Sequence, residues 1–284
     1  MLLSVLLFAI AAAETVAFVA IFRFFVLSSR GQRLDTIALA SNTLGAARLG
    51  RPVNSVLDAI SIAAVVAVMV VVGFIALIRR RIALAVTSIV LIGGANLSAE
   101  LLKRYLERPD LGIDEARAAA GNSLPSGHTA IAFSAAVAFV LVLPPRLRGV
   151  GAVIGSFYAA AVGVATLSAG WHRPSDAVAA FLVVGVWAAL AGVLLRFLRR
   201  RGEKVVDAES HKTAGLTLSA IGIVTLAIAI VGLRFTDMLH VPSNGLTEHE
   251  KAVAYGGSAA GIIAAACLTM AIIIMINAVK AGAA

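Results

Sequence analysis

A chain of 284 residues that is 60% hydrophobic, only 14% charged and of mean hydropathy +0.97 lies outside the range of water-soluble globular domains. Its net charge of +9 does not mark a nucleic-acid binder, because the basic residues gather at the ends of apolar runs and not along one soluble surface. One cysteine, Cys267 inside the last apolar run, excludes an intrachain disulfide and a thiolate metal cluster and reads as a packing residue.

A hydrocarbon core of about 30 Å needs roughly 20 apolar residues per helix. In chain order the predicted spans are residues 2–27, 56–78, 82–101, 129–143, 151–170, 177–198, 214–233 and 252–279. These unbroken runs are not the alternating ten-residue segments of a membrane barrel, so the expected class is all-α and polytopic. The first run is expected to stay as an uncleaved helix: it has no basic leader, and it continues through Phe18 to Val26. Glu14 and Arg23 interrupt it and read as snorkelling side chains or an interhelical pair.

Arg79-Arg80-Arg81, Arg146 with Arg148, and the cluster from Arg196 to Lys204 fall in alternate loops, which are predicted cytoplasmic. Eight spans then place both termini in the cytoplasm. Arg30, Arg33, Arg48 and Arg51, in the polar stretch 28–54, run against this count. The residues that carry chemistry all fall on the opposite, extracytoplasmic side.

Lys103 and Arg108-Pro109 follow the third span, supplying fixed positive charge of the kind a phosphoryl group requires. For Lys103 and Arg104 the plainer reading is snorkelling at a helix end. The fourth span is preceded by Ser123-Leu124-Pro125-Ser126-Gly127-His128. Gly127 permits a tight turn, and the N–H groups from Ser126 onward would point out of a helix N-terminus, a ready anion site. His128 there can act as a general acid; Ser126 can equally be an ordinary N-cap. The sixth span opens with His172-Arg173-Pro174-Ser175-Asp176. Proline is tolerated in a first helical turn, and a spacing of four lets Asp176 face His172, fixing its tautomer so that the other ring nitrogen is free to attack phosphorus. Alternatively Asp176 only caps the helix and His172 sits at headgroup level beside Trp171. Glu107, Asp110 and Asp114 lie among arginines, where salt bridges account for them, so no metal or other cofactor is expected.

These motifs resemble the type 2 phosphatidic acid phosphatase (PAP2) family, the membrane branch of the vanadium haloperoxidase superfamily. The family pattern is Lys, six residues, Arg-Pro; then Pro-Ser-Gly-His; then Ser-Arg, five residues, His, three residues, Asp. The second motif is complete as Pro125-Ser126-Gly127-His128, and His172 and Asp176 match the third. The resemblance implies a phosphohistidine at His172, oriented by Asp176, with His128 protonating the leaving group. It also implies a six-helix core, here residues 1–205, followed by two additional helices over residues 206–284. Two positions depart from the pattern. Six residues beyond Lys103 stands Asp110-Leu111, with Arg108-Pro109 two places early, and Ala165-Thr166 replaces Ser-Arg. Arg108 is expected to fill the first role and Arg173 or Arg104 the second.

The expected function is a lipid phosphatase in the cell membrane acting on a phosphomonoester or diphosphate, with a polyprenyl type favoured by the resemblance alone. The expected phosphate-binding set is Lys103, Arg108, Ser126, Gly127 and Arg173. A lipid phosphotransferase using the same residues and a non-catalytic lipid transporter remain open. Expected partners are a lipid phosphate and membrane lipids, with no nucleic acid. The last two helices are expected to pack against the core through small residues such as Gly256, Gly257 and Gly261, or alternatively to widen the lipid entrance or form a homodimer contact.

Overall fold

The computed structural model describes residues 2–43, 62–78, 81–114, 121–198, 209–239 and 245–279. Among them the chain is helical and contains no strand. The helices are α1 (Leu2–Ile21), α2 (Ser29–Ala40), α3 (Ile62–Ile78), α4 (Ile82–Tyr105), α5 (Gly127–Val142), α6 (Pro145–Ser168), α7 (Pro174–Leu198), α8 (Glu209–Met238) and α9 (Glu248–Val279). A π-helical turn, Phe22–Val26, continues α1. Six helical segments are long and apolar enough to cross a bilayer. The other two expected spans are the apolar helices α3, of 17 residues, and α5, of 16. The protein is an all-α polytopic membrane protein.

The largest buried cluster joins α4, α5, α6, α7 and α9. Phe133 and Phe181 meet edge to face at 4.9 Å in its centre, and Leu91, Leu167 and Ile262 are fully buried around them. Thus α9 enters the same core as the motif-bearing helices, through Ile262, Cys267 and Met270. The small residues do something else. A Cβ on Gly257 would stand 2.9 Å from the Gly232 Cα of α8, and one on Gly261 would touch Ala229 of α8 at 3.5 Å, so this face of α9 pairs with α8 and not with the core. Gly256 meets nothing within 4 Å.

The stretch 28–54, read from sequence as polar loop, contains α2. Ser28 caps it by accepting from the Gly31 N–H at 3.1 Å. Leu34, Ile37 and Ala38, at helical spacing, turn inward, and Ile37 joins Leu239, Leu246 and Ala254 under the ends of α8 and α9. Gly31 is required because α2 folds back on the π-helical turn, where a Cβ would fall 1.9 Å from the Phe24 carbonyl oxygen. Arg30 and Arg33 both pair with Asp237 at the end of α8, and Arg33 also donates to the Leu239 carbonyl at 2.7 Å. Two of the cations that counted against the topology are therefore structural fasteners. Arg48, Arg51, Arg79, Arg80 and the residues from Arg199 to Lys204 lie outside the described residues.

Glu14 does not snorkel and does not pair with Arg23. It is 6% exposed, packed where a Cβ on Gly185 of α7 would lie 2.9 Å from its carboxyl carbon.

The α8–α9 crossing yields a paired test. Gly257→Leu forces the two backbones apart at an expected cost of about 1–3 kcal/mol, seen as a lowered melting temperature in detergent, whereas Gly256→Leu on the same helix is tolerated.

Candidate active site

Five chain segments meet at one end of the bundle: the turn before α2 and α2 itself, the end of α4 with the loop after it, the entry to α5, the link from α6 to α7, and the first turn of α7. Local chemistry shapes each. Asn122 clamps the entry to α5, donating to the Leu124 carbonyl at 2.8 Å and accepting from the Leu124 N–H at 3.2 Å. Ser126 then caps α5, its hydroxyl accepting from the N–H and hydroxyl of Thr129 at 3.4 and 3.0 Å. Its own N–H donates to the Asp176 carbonyl at 2.9 Å, which fastens α5 to α7. The Ser126 side chain, expected from sequence to hold phosphate, is fully buried and committed to its helix. Gly127 and Lys103 do come together: a Cβ at position 127 would stand 3.5 Å from the Lys103 Nζ, so the ammonium lies over the N-terminus of α5. Lys103 also lies 3.8 Å from the exposed Glu100, which Arg104 shares at 3.7 Å.

The α6–α7 link is a helix stop in which Gly170 takes the left-handed conformation, φ +73°. Trp171 and His172 both donate their N–H groups to the Thr166 carbonyl, at 3.0 and 3.2 Å. This places Trp171 against His128, ring centroids 5.3 Å apart, and His172 across from His128 at 6.4 Å. Thr166, where the family pattern has arginine, is fully buried and gives its hydroxyl to the Gly163 carbonyl at 2.8 Å. No cation enters from that position.

His172 Nδ1 lies 3.2 Å from Asp176 Oδ2. The same oxygen accepts from the Ser123 hydroxyl at 2.7 Å and from the Arg173 N–H at 3.0 Å. Asp176 is fully buried, while His172 keeps 12% of its side chain exposed. Arg173 is buried too; its Nη1 donates to Ser123 at 3.4 Å and its Nη2 lies 3.5 Å from Asp114, while its Nε has no protein partner. Arg104 sits with Glu100 at the exposed surface, so of the two candidates for the missing arginine the structure brings Arg173 to the histidines.

Arg108 lies beneath this layer with 2% of its side chain exposed. Its Nη2 donates to the Phe25 carbonyl at 3.3 Å and lies 3.9 Å from Asp35; its Nη1 has no protein partner. Burial, aided by the charge of Arg173, lowers the affinity of Arg108 for its proton. Asp35, on α2, was not singled out from the sequence. It is 1% exposed and accepts from both the N–H (3.4 Å) and the hydroxyl of Ser175. Burial, reinforced by the neighbouring Asp176 carboxylate, pushes Asp35 up to about 7, against the Ser175 hydrogen bond and the charges of Arg108 and Arg173. The signal available in sequence was a carboxylate beside Leu34, Ile37 and Ala38 on the apolar face of a short helix. Ser123, the other omission, stands three residues before the Ser126 cap and carries no pattern of its own.

Asp110, next to these groups in sequence, accepts from the Gly112 N–H at 2.9 Å, an Asx turn of its own loop. Among the described residues no three His, Cys, Asp or Glu side chains converge in a way that could hold a metal.

A polytopic helical membrane protein with two facing histidines, an acid-oriented imidazole and buried guanidiniums at one end has the parts for chemistry on an anionic ester. Residues 83–202 match the family model described as PAP2 superfamily, and together with the membrane-spanning helices this match supports, at that coarse level, a membrane protein of the phosphatase type. That segment contains every motif residue from Lys103 to Asp176 but neither α2 nor the α8–α9 pair. Comparison with curated proteins and with solved structures gave no match.

The elevated Asp35 makes a stability prediction. Between its ordinary value of 3.8 and about 7 the folded chain retains a proton that the unfolded chain has released. The folded state then binds more protons, so this group's contribution to stability falls as pH rises through that window. Asp35→Asn cannot titrate, and its melting temperature relative to wild type is expected to climb between about pH 4 and about pH 7 and to level off above. A difference that stays constant over the range would show that Asp35 keeps one charge state.

Proposed function

We propose that the protein is a lipid phosphatase that hydrolyses a phosphomonoester or diphosphate carried by a membrane lipid, a polyprenyl phosphate or diphosphate being favoured by the family resemblance. His172, held by Asp176, carries this reading. With Nδ1 engaged by the carboxylate, Nε2 is the nitrogen left to attack phosphorus. A bond forms between the His172 nitrogen and the terminal phosphorus as the bond from that phosphorus to the leaving oxygen breaks, the lipid's own oxygen in a phosphomonoester or the bridging oxygen of the departing lipid monophosphate in a diphosphate, and His128, facing His172, gives its proton to that oxygen. Water then attacks the phosphohistidine, breaking the nitrogen–phosphorus bond, returning a proton to His128 and releasing inorganic phosphate.

Charge on the transferring group is met by Lys103 and the N-terminus of α5 on one side and by the guanidiniums on the other. The Nε of Arg173 and the Nη1 of Arg108 are buried donors without protein partners, which suits them to phosphate oxygens, directly or through water. The reaction as written needs no metal. The site end is assigned to the extracytoplasmic face because Arg81, Arg146, Arg148 and Arg196 stand at the other end of their helices.

The test is phosphate release by purified protein over a panel of lipid phosphates and diphosphates with no added acceptor alcohol. Wild type is expected to release phosphate and to keep doing so in EDTA; His172→Ala abolishes release and His128→Ala lowers it by about 10²–10⁴. Release that waits for an added alcohol would make the protein a phosphotransferase. Unchanged turnover in His172→Ala would remove the mechanism altogether.

A further inference from the structure

Asp35 belongs to no motif, lies outside the segment that matches the family model, and sits under the centre of the site. It stands between two functional segments. On one side its carboxylate receives the N–H and hydroxyl of Ser175, the residue before Asp176; on the other it faces the guanidinium of Arg108 at 3.9 Å. Arg108 is the arginine that comes two residues early against the family spacing, so it reaches the site from a shifted backbone position. The Phe25 carbonyl and Asp35 both lie at its Nη2, leaving Nη1 unpartnered.

We propose that Asp35 is a positioning residue of the phosphatase site: from α2 it holds Arg108 and the Ser175 turn in register, which lets an arginine at the shifted position serve the transferring phosphoryl group. The device is anchored at its rear, since α2 is fastened to α8 by the Arg30 and Arg33 pairs with Asp237, and Gln32 ties it to the loop of Arg108 by donating to the Pro109 carbonyl at 2.9 Å. The elements outside the family-matched segment thus support its anion grip. This rests on the phosphatase reading.

A charge is required for this role, and Asp35 changes charge within the working range. The charged groups facing it are Arg108 from the loop after α4 and Arg173 and Asp176 from the start of α7. On its other side a cavity of ≈ 110 Å³ is lined by α8 and α9 with Thr236 and Ser258, which carry no charge. Above about 7 the carboxylate is ionised and holds Arg108 electrostatically; well below it the group is neutral and differs little from asparagine.

The experiment compares kcat of wild type and Asp35→Asn on one lipid phosphate between about pH 5.5 and about pH 8.5, with Asp35→Glu as the charge-keeping variant. The ratio of wild type to Asp35→Asn is expected to be near one at the acid end and to rise to about tenfold or more at the alkaline end. Asp35→Glu should recover part of the alkaline rate. A ratio near one at every pH, or a loss that Asp35→Glu recovers at no pH, overturns the proposal, because a charge that positions Arg108 must cost rate when removed and return rate when restored. Failure of the phosphatase reading is separately visible, as absence of phosphate release by wild type before any variant is compared.

Discussion

Four ionisable groups that lie almost wholly out of water govern the arrangement of the site. Asp35, Asp176, Arg108 and Arg173 are 1%, 0%, 8% and 3% exposed. An isolated ion in such surroundings is costly, and a buried ion pair is tolerated only where geometry and hydrogen bonding are good. Two acidic and two basic groups meet here, their charges balancing once Asp35 is ionised, and each is held where the others are. The convergence of helix ends follows from that demand. Asp176 collects His172, Ser123 and the Arg173 N–H on one oxygen; Asp35 collects Ser175 and Arg108. Within the layer the donors that remain unmatched are Arg108 Nη1 and Arg173 Nε, and one acceptor, Asp176 Oδ1, is likewise without a partner, so the layer keeps unused donors for an anion and one unused acceptor.

Segments far apart in sequence close this layer. Asp35 comes from a helix near the N-terminus, whose outer face is fixed by Asp237 at the end of α8 and whose inner face packs on Leu246 and Ala254 around the start of α9. Gly232 and Gly257 let α8 and α9 approach with backbone against backbone, and Ile262 and Met270 seat α9 in the central core. The C-terminal pair therefore bears on the site indirectly, through the seating of α2. The ion pairs to Asp237 are solvent-screened, so they orient the helix more than they stabilise the fold.

What could be read from sequence was what depends on neighbours along the chain. Unbroken apolar runs defined the spans, proline at the start of α7 and Ser126 before α5 marked helix entries, and a spacing of four brought Asp176 to His172. Each of these is a rule over a few residues. The features that escaped are contacts across long separations. Asp35 meets Ser175 140 residues away, and Ser123 meets Asp176 53 residues away. Ser126 shows the same limit from the other side, since a cap and an anion ligand carry one sequence signature and only the structure shows its hydroxyl accepting from Thr129.

The displaced arginines bear on what the site accepts. At position 166 a side chain lies inside the last turn of α6, where the Thr166 carbonyl already takes two N–H groups and its hydroxyl is turned back to Gly163. An arginine there would approach the histidines from α6. Arg173 approaches instead from the start of α7, bracketed by Ser123 and Asp114, and Arg108 approaches from below, bracketed by Phe25 and Asp35. Positive charge is thus retained while its directions are changed. Guanidiniums recognise phosphate through the fixed fork of their N–H groups, so a change in direction alters which oxygens are held even when the number of charges is the same. In the proposed phosphatase the histidine pair and Asp176 would set the reaction and the redirected cations the shape of the anion, so substrate preference would follow from the second and not from the first.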